Sequence, residues 1–524
     1  MMPPKGKTGK LQEENMTDLR VGEVFTPQRW AKWLLDRWGI FDRWVAGESI
    51  CDPTAGRGVF ALALLEEAKR QEVAVTGEML NRLHLNELRS EHLEKFSSEV
   101  ATRYGISFPA SSLHAQDVIR HPLERTFDIL VGNPPWCNFC DLPSEYKEQL
   151  KPYFVDYGLV PSTRAALLGS SRVDLAALVL KAVIEKLLID GGDGYFFAPL
   201  SLFCGDGAHI GFRDYKTKST YFAAREVVEF TSAKVFEGVG TSYAAVYFRR
   251  GERQSFPVLY FRAGQIGFRR LKAIPLRDSC DPWRIMEDES RDAHADIVSI
   301  KISSRQKPRQ GVNTCGANSV FIFDSHPDFI DPKYVFPLAT KELWRTDSRA
   351  CAKNNPKKWI FLPYDSKAGK PLASSELKQI LGYEYLSQFH SQLRQRKGTL
   401  LNSAIGRGYW WALLGVGRYS FAPFKVIWEA YGNKTFEPIV VGSCNGMPWQ
   451  ANQAMQAFIP CWTQADATRI CEELRNPAVS LLLEQLNGQG KCNFAQPGKI
   501  KKILSIGESV GMSGSSSEQT RLKV

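Results

Sequence analysis

The stretch Phe127-Asp128-Ile129-Leu130-Val131-Gly132-Asn133-Pro134-Pro135-Trp136 sets the tightest limit on what this chain can fold into. Its apolar first half predicts a short buried strand. That strand must stop near Gly132, because Pro134 and Pro135 have φ fixed and no N–H to continue a ladder. A rigid loop therefore opens at a sheet edge. It presents carbonyl oxygens, the Asn133 amide and the face of Trp136. These groups suit accepting two hydrogens from an exocyclic amine while stacking on the flat ring that carries it. The competing reading is an ordinary proline-rich loop, so the rest of the chain must decide.

Upstream, GEVFTPQRWAKWLLDRW predicts a helix with Thr26 as N-cap and Pro27 at the first helical position. Trp30, Trp33, Leu34 and Trp38 fall near one face, and Gly39 ends it. SICDPTAGRGVFALALLEEAKR reads as a strand at Ser49–Cys51, a tight loop from Asp52 to Gly58, and a helix from Val59. Small residues there let the backbone approach a ligand, and the helix start supplies free N–H groups. The spacing is neither GxGxxG nor that of a phosphate loop. Sheets of this kind place an acid after the second strand for ribose hydroxyls. Glu87 closes Leu83-His84-Leu85-Asn86 and precedes a helical stretch from Arg89 to Arg103; Glu78 is a rival without a clear strand. The next strand ends near Ala115-Gln116-Asp117. Residues 172–190 read as a pure core helix, GGDGYFFAPLSLFC as a strand with a turn at its start, and VVEFTSAKVFEGVGTSYAAVYFRR as strand, loop, strand. Alternating β and α with a final antiparallel pair predicts one doubly wound, Rossmann-like α/β domain over about 21–260.

Asn133-Pro134-Pro135-Trp136 resembles the Asp/Asn/Ser-Pro-Pro-aromatic motif of the amino-methyltransferases. Asp52-Pro53-Thr54-Ala55-Gly56-Arg57-Gly58-Val59-Phe60 resembles their Asp-Pro-x-x-Gly-x-Gly-x-Phe cofactor loop, with Arg57 where a small residue is commoner. Gly22-Glu23-Val24-Phe25-Thr26-Pro27 resembles the segment that covers the methionine end of the cofactor. Taken in order over roughly half the chain, these motifs are similar to those of γ-type adenine-N6 DNA methyltransferases of restriction-modification systems. The resemblance implies S-adenosyl-L-methionine as cofactor, held by Thr26, Asp52, Thr54, Ala55, Gly56, Gly58, Glu87, Asp117 and Asn133. Asp117 would accept from the cofactor's adenine amino group. Catalysis falls to Asn133, Pro134, Pro135 and Trp136, acting on an adenine flipped out of double-stranded DNA. Phe236, before a variable turn, would stack on that base; its competing reading is an ordinary core Phe.

Charge divides the chain. Residues 1–250 carry 30 Lys+Arg against 32 Asp+Glu, whereas 251–524 carry 37 against 24. The stretch 301–425 alone holds 20 basic and 8 acidic residues. A basic second half joined to a near-neutral first half suggests a polyanion-binding domain. Within it, KPRQGVNTCGANSVFIFD predicts a turn and the strand Val320–Phe323, resembling the start of a target-recognition region. RGYWWALLGVGRYSFAPFKVIWEAYG interleaves aromatic and basic residues on strands and turns. Lys357 and Lys358 are candidates for phosphate contact, and Arg407 and Arg418 for guanine edges. The expected organisation is a basic tail (1–20), a catalytic domain (21–260), an acid-rich connector (261–300), a mixed α+β target-recognition domain (301–505) and a tail (506–524).

Other features narrow the functional class. Eleven cysteines without framework spacing fit a reducing cytoplasm, in a bacterial or archaeal cell. Cys137 and Cys140 form a CxxC with no second pair, so no metal is expected. No apolar run reaches a membrane span. Only about twenty residues precede GEVFTP, and no nuclease core is recognisable. Cleavage would therefore need a separate nuclease or defence subunit. Rival expectations are RNA or protein-glutamine methylation, or a DNA-recognition subunit with little activity of its own.

Overall fold

Ile50, Leu85, Ile129 and Leu130 are fully or almost fully buried, as expected of strands covered on both faces. The computed structural model describes residues 24–160, 173–205, 207–230, 235–236, 242–264, 267–287, 300–344, 356–431, 435–452, 455–487 and 494–506. The expected tails at 1–20 and 506–524 lie almost wholly outside these. The chain divides into two compact units, Met1–Arg291 and Asp292–Val524.

In the first unit, helices α1 (Gln28–Arg37) and α2 (Ile40–Val45) precede strand β1 (Ile50–Asp52). Then come α3 (Val59–Arg70), α4 (Gly77–Asn81), β2 (Leu83–Glu87), α5 (Ser90–Tyr104), β3 (Leu113–Ala115) and β4 (Phe127–Gly132). Helices α6 (Ser144–Asp156) and α7 (Leu175–Lys186) lead to β5 (Leu188–Pro199), β6 (Phe222–Glu229) and β7 (Tyr243–Arg250). Strands β8 (Val258–Ala263), β9 (Phe268–Pro275) and β10 (Trp283–Glu287) complete a ten-stranded sheet of order β10-β9-β8-β6-β7-β5-β4-β1-β2-β3.

Strands β3, β2, β1, β4 and β5 are parallel, and β7 inserts antiparallel between β5 and β6. Alternate side chains feed two cores, so Leu130 and Phe196 face one layer and Ile129, Val131 and Phe197 the other. Helices α6 and α7 cover the first layer, and α1, α3 and α5 the second. This is a doubly wound α/β fold. Its strand order reverses between β1 and β4, where such sheets hold ligands outside their carboxyl ends.

Four expectations shift. Residues 172–190 do not form one helix: α7 ends at Lys186, and Leu188 already belongs to β5. Thr26 is not the N-cap, which is Pro27, with Gln28 the first helical residue. Residues 261–300 supply the end of β8, all of β9 and all of β10, because Leu271, Trp283 and Ile285 bury against the sheet. Their acid-rich part beyond Glu287 lies outside the described residues. Val320 and Phe321 sit in a helical turn, Asn318–Phe321, and only Ile322–Phe323 are extended.

The second unit is mixed α+β. Residues Phe424–Glu429 pair antiparallel with Ile439–Val441 on one side and Gln456–Cys461 on the other, and Arg309–Gln310 extend that sheet. A smaller antiparallel sheet joins Ile322–Phe323, Trp359–Phe361 and Val335–Pro337. Helices Gln464–Leu474 and Pro477–Asn487 follow.

Candidate active site

The carboxyl ends of β1 and β4 are so close that a Cβ on Gly132 would lie 3.0 Å from Asp52 Oδ1. That spacing brings the loop after β1 beside the Asn133 loop. The Thr54 hydroxyl donates to the Asn133 carbonyl at 3.4 Å, and the Thr54 N–H to Asp52 Oδ1 at 3.2 Å. Gly56 and Gly58 take φ of +52° and +69°, values that a side chain would strain. The Gly56 N–H donates to Glu87 Oε2 at 2.8 Å and the Arg89 N–H to Glu87 Oε1 at 3.2 Å. Glu87 thus caps the loop and keeps acceptor capacity on both oxygens. The rival Glu78 is a surface residue paired with Arg82 at 2.7 Å.

These elements enclose a cavity of about 470 Å³, within the range of small-molecule sites. Of the expected cofactor residues, Thr26, Asp52, Thr54, Ala55, Gly56, Glu87, Asp117 and Asn133 all line it. Gly58 does not: its missing side chain makes room for Phe96 and Leu85, whose atoms a Cβ would meet at 2.3 and 2.9 Å. Pro135 lines the cavity; Pro134, Trp136 and Phe236 do not. Sequence reasoning missed Tyr146 on α6 altogether. It also read Leu175 and Val179 of α7 as pure core, whereas both form cavity wall.

Charge in the cavity is set by burial. The Asp52 carboxyl is pushed well above the usual carboxylate range by burial, opposed by the Thr54 N–H and reinforced by the nearby charge of Glu87. Asp117 is buried and already accepts four bonds. The Ile119 and Arg120 N–H groups reach Oδ1, and Arg120 Nε and the Tyr146 hydroxyl reach Oδ2. A carboxylate has about four acceptor positions, so a new donor at Asp117 must displace one. Tyr146, at 3.2 Å, holds one of the longer bonds.

Asn133 itself is held from one side. Its Nδ2 donates to the Val24 carbonyl at 3.0 Å and to Thr26 Oγ1 at 3.1 Å. Its Oδ1 is buried and has no hydrogen-bond partner among the described residues. Trp136 stands edge-on to Phe236, with ring centres 5.0 Å apart, and tilts against Tyr243 at 5.5 Å. Phe236 is buried, and the Tyr243 hydroxyl accepts from its N–H and that of Val235. The ring therefore backs Trp136 from within the core. Beyond Trp136, the Cys137 N–H donates to Asp174 at 3.3 Å and the Leu175 N–H to the Cys137 carbonyl at 2.7 Å. These bonds tie the loop to the start of α7. Burial and nearby carboxylates push the Cys137 thiol up to about 12, which disfavours the thiolate a metal needs. No metal-holding group of His, Cys, Asp or Glu occurs among the described residues.

In the second unit, Lys357, Lys358, Arg407 and Arg418 are all exposed, the two lysines side by side in one loop and the arginines on two other segments. Lys358 pairs with Asp324 at 2.7 Å. Arg309, not singled out from sequence, lies over the Tyr419 ring at 4.5 Å, next in chain to Arg418.

No protein-family model matches the chain, and no curated protein does. Among solved structures it is similar to the Type IIL restriction-modification enzyme MmeI in complex with DNA. That match has 11% identity and a TM-score of 0.49, and covers 86% of this chain and 62% of that one. It is also similar to a nuclease-deletion mutant of the Type ISP restriction-modification enzyme LlaGI in complex with a DNA substrate mimic, at 12% identity and a TM-score of 0.49, over 84% of this chain and 48% of that one. A modification subunit of a putative type I restriction enzyme from Vibrio vulnificus YJ016 matches at 18% identity and a TM-score of 0.33, over 49% and 51% of the two chains. This chain spans about half to three-fifths of the length of those three, and at these scores the functional argument rests on its own residues.

Proposed function

We propose that this chain transfers a methyl group from S-adenosylmethionine to the N6 amine of an adenine turned out of double-stranded DNA. The observation that carries the reading is Asn133 Oδ1, a buried acceptor without a partner among the described residues, at the rim of a nucleotide-sized cavity. Native folds rarely leave such a group unpaired without a reason. An aromatic amine is a poor nucleophile because its lone pair spreads into the ring. Hydrogen bonds to Asn133 Oδ1 and the Pro134 carbonyl localise that pair as attack begins, so fixed dipoles and alignment do the catalytic work. No covalent enzyme intermediate is needed.

The cavity suits the cofactor. Glu87 has open acceptor positions for ribose hydroxyls, and Val118, Ile119, Leu175 and Val179 offer apolar walls to a flat base. Asp52 and Glu87 place acidic groups where a cationic ligand would sit. When bound, the cofactor supplies a sulfonium-activated methyl group. Extruding the adenine costs a few kcal/mol, and stacking on Trp136, backed by Phe236, offsets it. The basic second unit would hold the duplex through Lys357, Lys358, Arg407 and Arg418. A restriction-modification or phage-defence role, with cleavage by a separate nuclease, follows from the resemblance of the motif order to γ-type enzymes.

The test is methyl transfer to duplex DNA, structured RNA and protein substrates in parallel, followed by sequencing of modified bases in DNA from expressing cells. N6-methyladenine at one sequence context is the expected result. Transfer only to RNA or to a protein amide would replace this reading. Duplex binding without cofactor binding would make the chain a recognition subunit.

A further inference from the structure

The segment Val24–Thr26 touches both halves of the site. Its two ends hold the Asn133 amide, through the Val24 carbonyl and the Thr26 hydroxyl. Its middle residue, Phe25, reaches the other way, over the loop after β1. A Cβ on Gly56 would lie 3.6 Å from the Phe25 ring; Arg57 stacks on that ring at 4.9 Å, and His92 lies 5.7 Å from it. Phe25 is nonetheless 46% exposed, and it lines the cavity. Among the described residues, the ring is held by Arg57, His92 and the loop.

The chemistry of the two bonds to Asn133 fixes which end of the amide is presented. A backbone carbonyl only accepts, so the group facing Val24 must be the NH₂. Oδ1 is thereby turned away from the strap and left as the free acceptor. Were the amide reversed, Oδ1 would face the Val24 oxygen and a donor would replace the acceptor that the amine needs.

We infer that Val24–Thr26 is a positioning strap: it sets the Asn133 rotamer so that Oδ1 is the acceptor, and Phe25 ties that setting to the loop that holds the cofactor. The inference rests on the proposed methyl-transfer reading and gives Thr26 a role different from cofactor binding. Thr26 acts through Asn133 and is not itself catalytic. Cofactor packed against Phe25 in the cavity should in turn steady the Asn133 amide.

The test compares Thr26→Val, Thr26→Ser and Phe25→Ala in the full chain. Binding of S-adenosylhomocysteine is measured by calorimetry, and turnover at saturating DNA and cofactor. A third measurement is the side-chain NH₂ resonance of Asn133 in protein labelled at asparagine, assigned by its loss in Asn133→Asp. Thr26→Val should lower turnover five- to twentyfold with ligand affinity within twofold, and should move one Asn133 NH₂ proton towards the position of a free amide. Thr26→Ser should restore both. Phe25→Ala should weaken ligand binding and broaden the same resonance. Two results overturn the strap: Thr26→Val weakening ligand binding tenfold with turnover at saturation intact, or an Asn133 NH₂ signal unchanged by Thr26→Val. The resonance and the calorimetry do not need methyl transfer. A parent protein inert on every substrate would therefore defeat the functional reading while the strap is still judged on its own.

Discussion

Replacing Asn133 by Ala separates catalysis from folding because the two costs differ in size and nearly cancel in one of them. The variant loses the donations to Val24 and Thr26, at 3.0 and 3.1 Å. At about 1 kcal/mol net for each bond, that costs roughly 2 kcal/mol of stability. It also removes the buried Oδ1, which has no partner among the described residues; an unsatisfied buried acceptor costs about 1–3 kcal/mol. The net change in unfolding free energy should therefore stay within about 1 kcal/mol. Turnover behaves differently, because one preorganised acceptor on the reacting amine is worth about 2–4 kcal/mol of barrier. That is roughly a 30- to 900-fold loss. Single-turnover methyl transfer with a radiolabelled donor, at saturating DNA and cofactor, reads the chemical step directly, and urea unfolding reads stability. Turnover within threefold of the parent would refute the role of Asn133. A stability loss above about 3 kcal/mol would show that the amide is a structural pin and that Oδ1 was never a strained, waiting acceptor.

Trp136→Ala should weaken productive DNA binding by about 1–3 kcal/mol, the scale of base–aromatic stacking, and Trp136→Phe should recover most of it; a fluorescent adenine analogue that shows no unstacking in the parent would count against flipping. Burial holds the Asp52 carboxyl high in its pKa, so a cationic sulfonium ligand should bind more tightly as pH rises and Asp52 ionises, while the neutral thioether product should show a weaker slope; equal slopes by calorimetry would dismiss the charge complementarity. His209, buried beside Arg213, is held down to about 4, so it is neutral in the fold where the unfolded chain titrates near 6.5. Its contribution is present above about pH 6.5 and is lost as pH falls towards 4, by up to roughly 3 kcal/mol; urea unfolding of His209→Asn should show a flatter acid limb, and an unchanged limb would acquit His209. Duplex binding by the full chain should fall with salt at a log–log slope near −0.9 per neutralised phosphate, and affinity that barely changes between low and moderate salt would remove the second unit from DNA binding.

Strand β4 was legible because its apolar run is closed by a segment that cannot continue it. Pro134 and Pro135 bar the ladder from continuing beyond Gly132, where β4 ends, and Glu87 is the last residue of β2. Helix ends were harder. Leu187, Leu188 and Ile189 run apolar from the end of α7 into β5, and periodicity alone does not separate a buried helix end from a buried strand. What local pattern could not reveal is contact across distance. Tyr146 reaches Asp117 across 29 residues, and Asn133 reaches Thr26 across 107. Neither partner carries a local mark, since a Tyr on a helix and a Thr before a Pro each have commoner uses.

Charge was legible only as a sum. The count of 20 basic residues over 301–425 treats every one as a possible phosphate contact, yet burial withdraws some of them. Arg396 is buried and donates to four backbone carbonyls, those of Leu393, Thr314, Trp410 and Ala412, so it binds the unit together from inside. Lys425 is buried on the central strand of its sheet, donates to the Ala422 carbonyl, and burial brings it down to about 7. Lys358 shares its charge with Asp324. Lys357, Arg407 and Arg418 keep exposed heads, and Arg309, over Tyr419, adds a guanidinium already spread across an aromatic face. Such a guanidinium sheds water more readily than an ammonium and suits planar partners. The exposed cations over 301–425 are therefore fewer than the count implies, and lysines still outnumber arginines among the described ones.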